Sequence, residues 1–166
     1  TLASPFQIKS LSDLLLMQQA VNSQAGKIIS ASTANEVDAR SAHYRLMADI
    51  DLSAVCGQGK ENWIPIGNYS ENKEYLFGGV FDGDGHIVKG LYILSNKEYQ
   101  GLFGYLKGVI KNLSVDGVVA GQGLCGLVCG RMITNAEIVN CTAFGRVESN
   151  VKGYSTQAYY GGIVGR

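Results

Sequence analysis

The sequence predicts an all-β repeat protein, a short β-solenoid with a helix at its N-terminal end. Three observations point there. The 166 residues hold 22 glycines but only 2 prolines, and the glycines are scattered among short β-branched and aromatic runs, as many tight turns between short strands require. Similar phrases recur in the second half at steps of roughly 20 to 30 residues, the mark of stacked repeat units. A helical period appears clearly near the start.

Residues 10–23, SLSDLLLMQQAVNS, place Leu11, Leu14, Leu15, Met17 and Val21 near one face at spacings of three and four, which is the period of an amphipathic helix. Ser10 with Asp13 three residues on resembles a capping box. A helix over about 11–22 is therefore expected. It is expected to cover the open end of the repeats, because an uncapped end exposes both core and unpaired strand edges. From Tyr44 the period becomes two: Tyr44, Leu46, Ala48, Ile50 and Leu52 fall on one side, and Arg45, Asp49 and Asp51 on the other. That pattern predicts a strand with one wet face. Residues 1–55 are read as the cap with its first strand, and 56–166 as the repeats, expected to continue beyond the given chain.

The repeats allow two registers. In one, QGLFG at Gln100–Gly104 matches QGLCG at Gln122–Gly126, and Gly79-Val80-Phe81 matches Gly101-Leu102-Phe103, each at a step of 22 residues. Val88 to Ile93 then matches Ile110 to Val115 at 22, while Ile110 to Val115 matches Ile138 to Ala143 only at 28, so this register needs an insertion in the third unit. The other register pairs Gly101-Leu102-Phe103 with Gly126-Leu127-Val128 and then Gly162-Ile163-Val164. Either way Leu102, Phe103, Leu113, Val115, Leu127, Val128 and Cys141 are expected in the core. Gly161 to Gly165 reopens a unit, so an uncovered end able to self-associate is expected there.

The phrases GGVFDGDGHIVKGLYI (78–93), YQGLFGYLKGVIKNLSVDG (99–117), CGLVCG (125–130) and GGIVGR (161–166), with YRLMADIDLS and Trp63-Ile-Pro65-Ile-Gly67 upstream, resemble the Glug repeat family of bacterial surface proteins. The resemblance covers roughly residues 44–166. It implies a right-handed parallel β-helix-like solenoid, found in adhesin-like chains and in non-catalytic regions of some immunoglobulin A proteases, and it carries over no catalytic residues. Cys125 and Cys129 depart from it, standing at or beside positions where the family has glycine.

Charge and motifs exclude several functions. Fourteen basic residues balance fourteen acidic ones without a Lys/Arg cluster, so the footprint of a nucleic-acid binder is missing. Leu14 to Met17 is far shorter than the roughly 20 apolar residues of a membrane span. Asp82-Gly-Asp84-Gly-His86 opens like a calcium loop, but Ile87 stands where that loop needs glycine and Ile93 where it needs a bidentate glutamate, so it reads as a turn. His43 and His86 lie outside any zinc motif. Neither a nucleophile elbow nor a phosphate-cradling strand–glycine–helix order is present. No metal and no cofactor is expected. Cys125, Cys129 and Cys141 read as small buried hydrophobes, with a disulfide as the alternative. Asp49, Asp51, Asp82 and Asp84 are weighed as paired carboxylates of a sugar-cleaving enzyme, but solvated acids on a wet strand face are the simpler account.

Nine tyrosines remain. Tyr69, Tyr75 and Tyr154 fall in expected loops and are the candidate ligand contacts, because exposed aromatics on a rigid scaffold suit glycan or protein recognition. Tyr159 and Tyr160 read as the start of a strand, and Trp63 as an anchor for the Pro65–Gly67 turn. The expected function is a non-catalytic module of a secreted or cell-surface bacterial protein, adhesive or spacing, with a host or matrix protein or glycan as partner. A β-helical polysaccharide lyase or glycoside hydrolase is the alternative.

Overall fold

A computed structural model describes residues 4–29, 35–70, 73–150 and 158–166. Parallel β-sheets dominate it. Phe6–Ile8, His43–Leu46, Val80–Asp82, Val109–Lys111 and Glu137–Val139 lie side by side in that order as one all-parallel sheet. Ile50–Asp51, Ile87–Leu94, Ser114–Gly121 and Thr142–Ser149 form a second. A third face sets Phe103–Leu106 beside Cys129–Met132, flanked by single bridges from Ile66 to Phe103 and from Cys129 to Val164. From Val80 onward the chain visits first, second and third face in the same order each time. Two short antiparallel pairs, Lys27–Ile29 with Glu36–Asp38 and Tyr69–Ser70 with Lys73–Glu74, stand outside this scheme.

The pairing decides between the two registers. Ile110 lies opposite Ile138 and Val115 opposite Ala143, a step of 28, whereas Phe81 lies opposite Ile110 at 29 and Val88 opposite Val115 at 27. Leu102 N–H donates to Leu127 O, Phe103 N–H to Val128 O, and Val128 N–H to Ile163 O. The step of 22 is not a stacking step; the pairing lies near the second register but one residue on at Phe103, which stands opposite Cys129 at a step of 26, and Cys129 in turn stands opposite Val164. Gly79-Val80-Phe81 enters the first sheet and Gly101-Leu102-Phe103 the third face, so the 22-residue likeness links two corners of one circuit. No insertion is needed between Ile110 and Ile138; the longer circuit comes later, where Cys129 to Val164 is 35 residues against 26 from Phe103 to Cys129.

Glycine is required where circuits touch. A Cβ on Gly108 would lie 2.0 Å from Gly79 O, and one on Gly145, whose φ is +127°, would lie 1.9 Å from Gly117 O. Neither position has room for a side chain.

One apolar cluster fills the space between the faces, from Ile8 through Leu14, Met17 and Val21 to Leu127, Val128 and Cys129. Aromatic rings run through it: Phe6 stacks on Tyr44 at 5.4 Å, Tyr44 meets Phe77 at 6.0 Å, Phe77 meets Phe103 at 5.3 Å, and Phe103 meets Phe81 edge-on at 5.2 Å. Leu102, Phe103, Leu113, Val115, Leu127 and Val128 are buried as expected. Cys141 is not. It sits half-exposed in the last circuit, where no further described strand covers it. In the same circuit Val139 and Phe144 are exposed, and Glu137–Val139 and Thr142–Ser149 each end their sheet.

The helix spans Leu11–Val21, with the Ser10 side chain accepting from Asp13 N–H and the Asp13 carboxylate accepting from Lys9 N–H at 2.9 Å. Leu14, Met17 and Val21 are buried, as is Gln18, whose Nε2 donates to Ile64 O at 2.6 Å. Asn22 Nδ2 donates to Pro65 O and Asn22 Oδ1 accepts from Gly67 N–H. The helix thus sits against residues 64–67, whose Ile66 is the outer member of the third face.

The run from Tyr44 to Leu52 departs from the expected single strand. It pairs in the first sheet as His43–Leu46, breaks, pairs again in the second as Ile50–Asp51, and closes in a short 3-10 turn at Leu52–Ala54. Tyr44, Leu46, Ile50 and Leu52 are nevertheless all buried, because the alternation carries inward-facing residues through the corner.

Candidate ligand-binding cleft

A cleft of about 890 Å³ opens beside the third face, with Trp63, Tyr69, Lys97, Tyr99, Tyr105 and Arg131 in its lining. The segment against the helix with the short pair that follows it, the loop 95–100, and the strands Phe103–Leu106 and Cys129–Met132 build it. Tyr105 and Arg131 lie directly opposite each other in parallel strands. Tyr99, held at a positive φ of 60°, folds its ring to 4.5 Å from that of Tyr105. The Arg131 guanidinium lies 5.7 Å from the Tyr99 ring centre and 5.5 Å from that of Tyr105, with Nη1 donating to the Tyr105 hydroxyl at 3.5 Å. The hydrogen bond with Tyr105, helped by burial and by Glu98, raises the Tyr99 hydroxyl above its ordinary pKa. Tyr99 therefore stays neutral at physiological pH, and Arg131 is the charge of the trio.

Trp63 is buried at the back of the cleft and donates Nε1–H to Leu102 O at 3.0 Å, the anchoring role its sequence context suggests. Asn68 Oδ1, also in the lining, is buried without a hydrogen-bond partner.

The sequence candidates divide. Tyr69 is 48% exposed and lines the cleft. Tyr75 is only 8% exposed, with the Arg40 guanidinium 5.6 Å from its ring centre, so the loop exposure that made it a candidate is absent. Tyr154 lies outside the described residues. Tyr159 and Tyr160 begin a strand opposite Leu124 and Cys125, as their β-propensity suggests. Sequence reasoning missed Tyr99, Tyr105 and Arg131. Tyr105 and Arg131 stand opposite each other at a step of 26, which neither register read from the sequence contains, so the sequence offered no signal for the pair.

Glu74 and Glu98 line the cleft, whereas Asp49, Asp51 and Asp82 are held outside it. Asp82 lies between Arg45 at 3.7 Å and Lys111 at 3.2 Å, its neighbours across the first sheet. Its Oδ1 accepts from Asn112 Nδ2 and from Asp84 N–H, both at 3.0 Å, which closes the expected turn. Burial opposes ionisation of Asp82, but the hydrogen bonds from Asn112 and Asp84 and the nearby Lys111 outweigh it and hold the carboxyl below its ordinary pKa. Asp49 accepts from Ile87 N–H and lies 3.0 Å from His86 Nδ1, while Asp51 accepts from Ser53 N–H and pairs with Lys89. Those partners lower both pKa values. A general acid for glycoside cleavage needs a raised one.

All four cysteines are free thiols. Burial pushes Cys125 up to about 11 and Cys129 up to about 12, far from the reactive thiolate range.

Asp82 gives a pH prediction. With the folded pKa depressed, its contribution to stability is complete above the ordinary value near 4 and is lost as pH falls through the lower folded value. Replacing it with asparagine should flatten the acid limb of stability against pH. At neutral pH it should destabilise by about 1–3 kcal/mol, since Arg45 and Lys111 lose their partner. Chemical denaturation from pH 2 to 7 is the check, and an unchanged acid limb would remove Asp82 from the account.

No family model matches the chain. It is 36% identical over 172 residues to halomucin of Haloquadratum walsbyi, an alignment covering 98% of this chain and 2% of halomucin. It is also 36% identical over 78 residues to a protein of Evansella cellulosilytica proposed to be a Gly-rich membrane protein, covering 45% of this chain and 9% of that one. The chain thus spans a small fraction of the curated relatives it matches. Among solved structures it superposes on a protein from Bacteroides ovatus proposed to be an immunoglobulin A1 protease, with a TM-score of 0.57 and 19% identity, over 96% of this chain and 46% of that one. That likeness is one of fold. Among the described residues no helix is long and apolar enough to cross a membrane.

Proposed function

We propose that the chain is a non-catalytic module of an extracellular or bacterial cell-surface protein, a right-handed parallel β-solenoid of the Glug type that binds a ligand in adhesion or spaces the domains around it. The observation that carries this reading is the Tyr69, Tyr99, Tyr105 and Arg131 cleft, set on a parallel scaffold in which Asp49, Asp51 and Asp82 are held by hydrogen bonds and ion pairs. Binding residues on loops held by a stiff frame are the usual arrangement for recognition. The names of the relatives, a halomucin and a Gly-rich membrane protein, fit a protein of the cell exterior. In this reading the helix is a cap and the exposed last circuit is where chains self-associate.

The test is a panel of polysaccharides and glycoproteins incubated with the protein, scored for retention and for new chain ends. Retention without cleavage is the expected outcome. New reducing ends or unsaturated uronate products would establish the rival enzyme reading instead.

A further inference from the structure

We infer that the cleft recognises a carboxylate-bearing sugar, a uronic acid residue within a polysaccharide; this rests on the ligand-binding reading above. The argument starts from Arg131. It is half-buried, yet among the described residues its guanidinium has no carboxylate partner. Arg45, Lys89, Lys111 and Arg146 all have one. A partly desolvated cation without a counter-ion is unfavourable unless something else supplies the negative charge.

The rings of Tyr99 and Tyr105 restrain the guanidinium, and a planar fork held that way suits two-point hydrogen bonding to a carboxylate. Lys97, exposed in the same lining, likewise has no carboxylate partner among the described residues. Of the two acids nearby, Glu98 is engaged with the Tyr99 hydroxyl and Glu74 is exposed to solvent.

A sugar ring fits the rest of the lining better than a peptide does. Tyr69 is 48% exposed and offers an aromatic face to the C–H side of a pyranose. Asn68 Oδ1 is an acceptor without a donor, and a ring hydroxyl is a donor of the right size once Tyr69 or Asn68 shifts to admit it. Stacking then holds the ring, and Arg131 and Lys97 read its carboxylate.

Isothermal titration calorimetry decides it, using oligosaccharides of glucuronic, galacturonic and mannuronic acid, each beside its carboxyl-reduced form, and a poly-aspartate peptide. At least one uronate should bind about tenfold or more tighter than its reduced form, which is what a charge-assisted pair is worth. Arg131→Gln should bring the two forms within about twofold of each other, and Tyr69→Ala should weaken both forms about equally. The comparison of ligands on the unaltered protein stands even if a variant folds poorly. Equal affinity for acid and reduced forms would overturn the uronate inference and leave the cleft a neutral-sugar site. Binding of poly-aspartate without any sugar would overturn the sugar class. No binding of any probe, together with no retention on the broader panel, would overturn both this inference and the ligand-binding reading beneath it.

Discussion

Replacing both Leu14 and Leu15 with aspartate should abolish cooperative thermal unfolding and leave the protein aggregated or without fixed tertiary structure. Leu14 is fully buried in the central cluster and Leu15 packs against it. A carboxylate forced into that apolar cluster loses its water, and a buried unpaired charge is penalised by several kcal/mol. A domain stable by about 5–15 kcal/mol cannot absorb that together with two lost leucines. Damage should extend past the helix, because Gln18 and Asn22 also fasten it to residues 64–67. Near-ultraviolet circular dichroism and light scattering read the result. A double variant that melts like the parent would show that the helix is not part of the structure's closure.

Phe103→Ala should destabilise by about 3–5 kcal/mol, the range for a large aromatic removed from a core. Phe103 touches both Phe77 and Phe81, so its removal interrupts the line of rings at its junction. Phe6, half-exposed and stacked on Tyr44 alone, should tolerate alanine at about 1 kcal/mol. Urea unfolding followed by Trp63 fluorescence compares the two, read from midpoints at unchanged slope. Similar losses at both positions would mean that neither burial nor a place at the junction decides what a ring contributes.

Much of this was legible because local rules were obeyed. Ser10 and Asp13 mark the start of the helix by hydrogen bonds that any sequence with that spacing can make, and Leu14, Met17 and Val21 mark its buried side. The parallel arrangement of the later strands followed from repetition. The register did not, because Gly-apolar-Phe serves at two corners of one circuit, at Gly79 and again at Gly101, and like phrases do not tell a corner from its neighbour. The phrase at Ile110 and Ile138 held the true step, since both copies keep the same turn between first and second sheets. Between Phe81 and Val88 that turn is two residues longer. The cleft was the least legible part. Tyr99, Tyr105 and Arg131 are brought together by a pairing one circuit apart, and Tyr99 reaches the others only through its left-handed backbone. Tyr69 was visible as a loop aromatic, and Tyr75 was not distinguishable from it until Arg40 and the surrounding chain were in place.

The matched pairing of Ile110 with Ile138 and of Val115 with Ala143 has a consequence for length. Neighbouring strands are spaced about 4.8 Å apart in the direction of their hydrogen bonds, whatever side chains they carry. A gene that duplicates or deletes one such circuit therefore changes the molecule's reach by a fixed increment and leaves its cross-section alone. In strands stacked this way, length along the stack is set by the number of circuits.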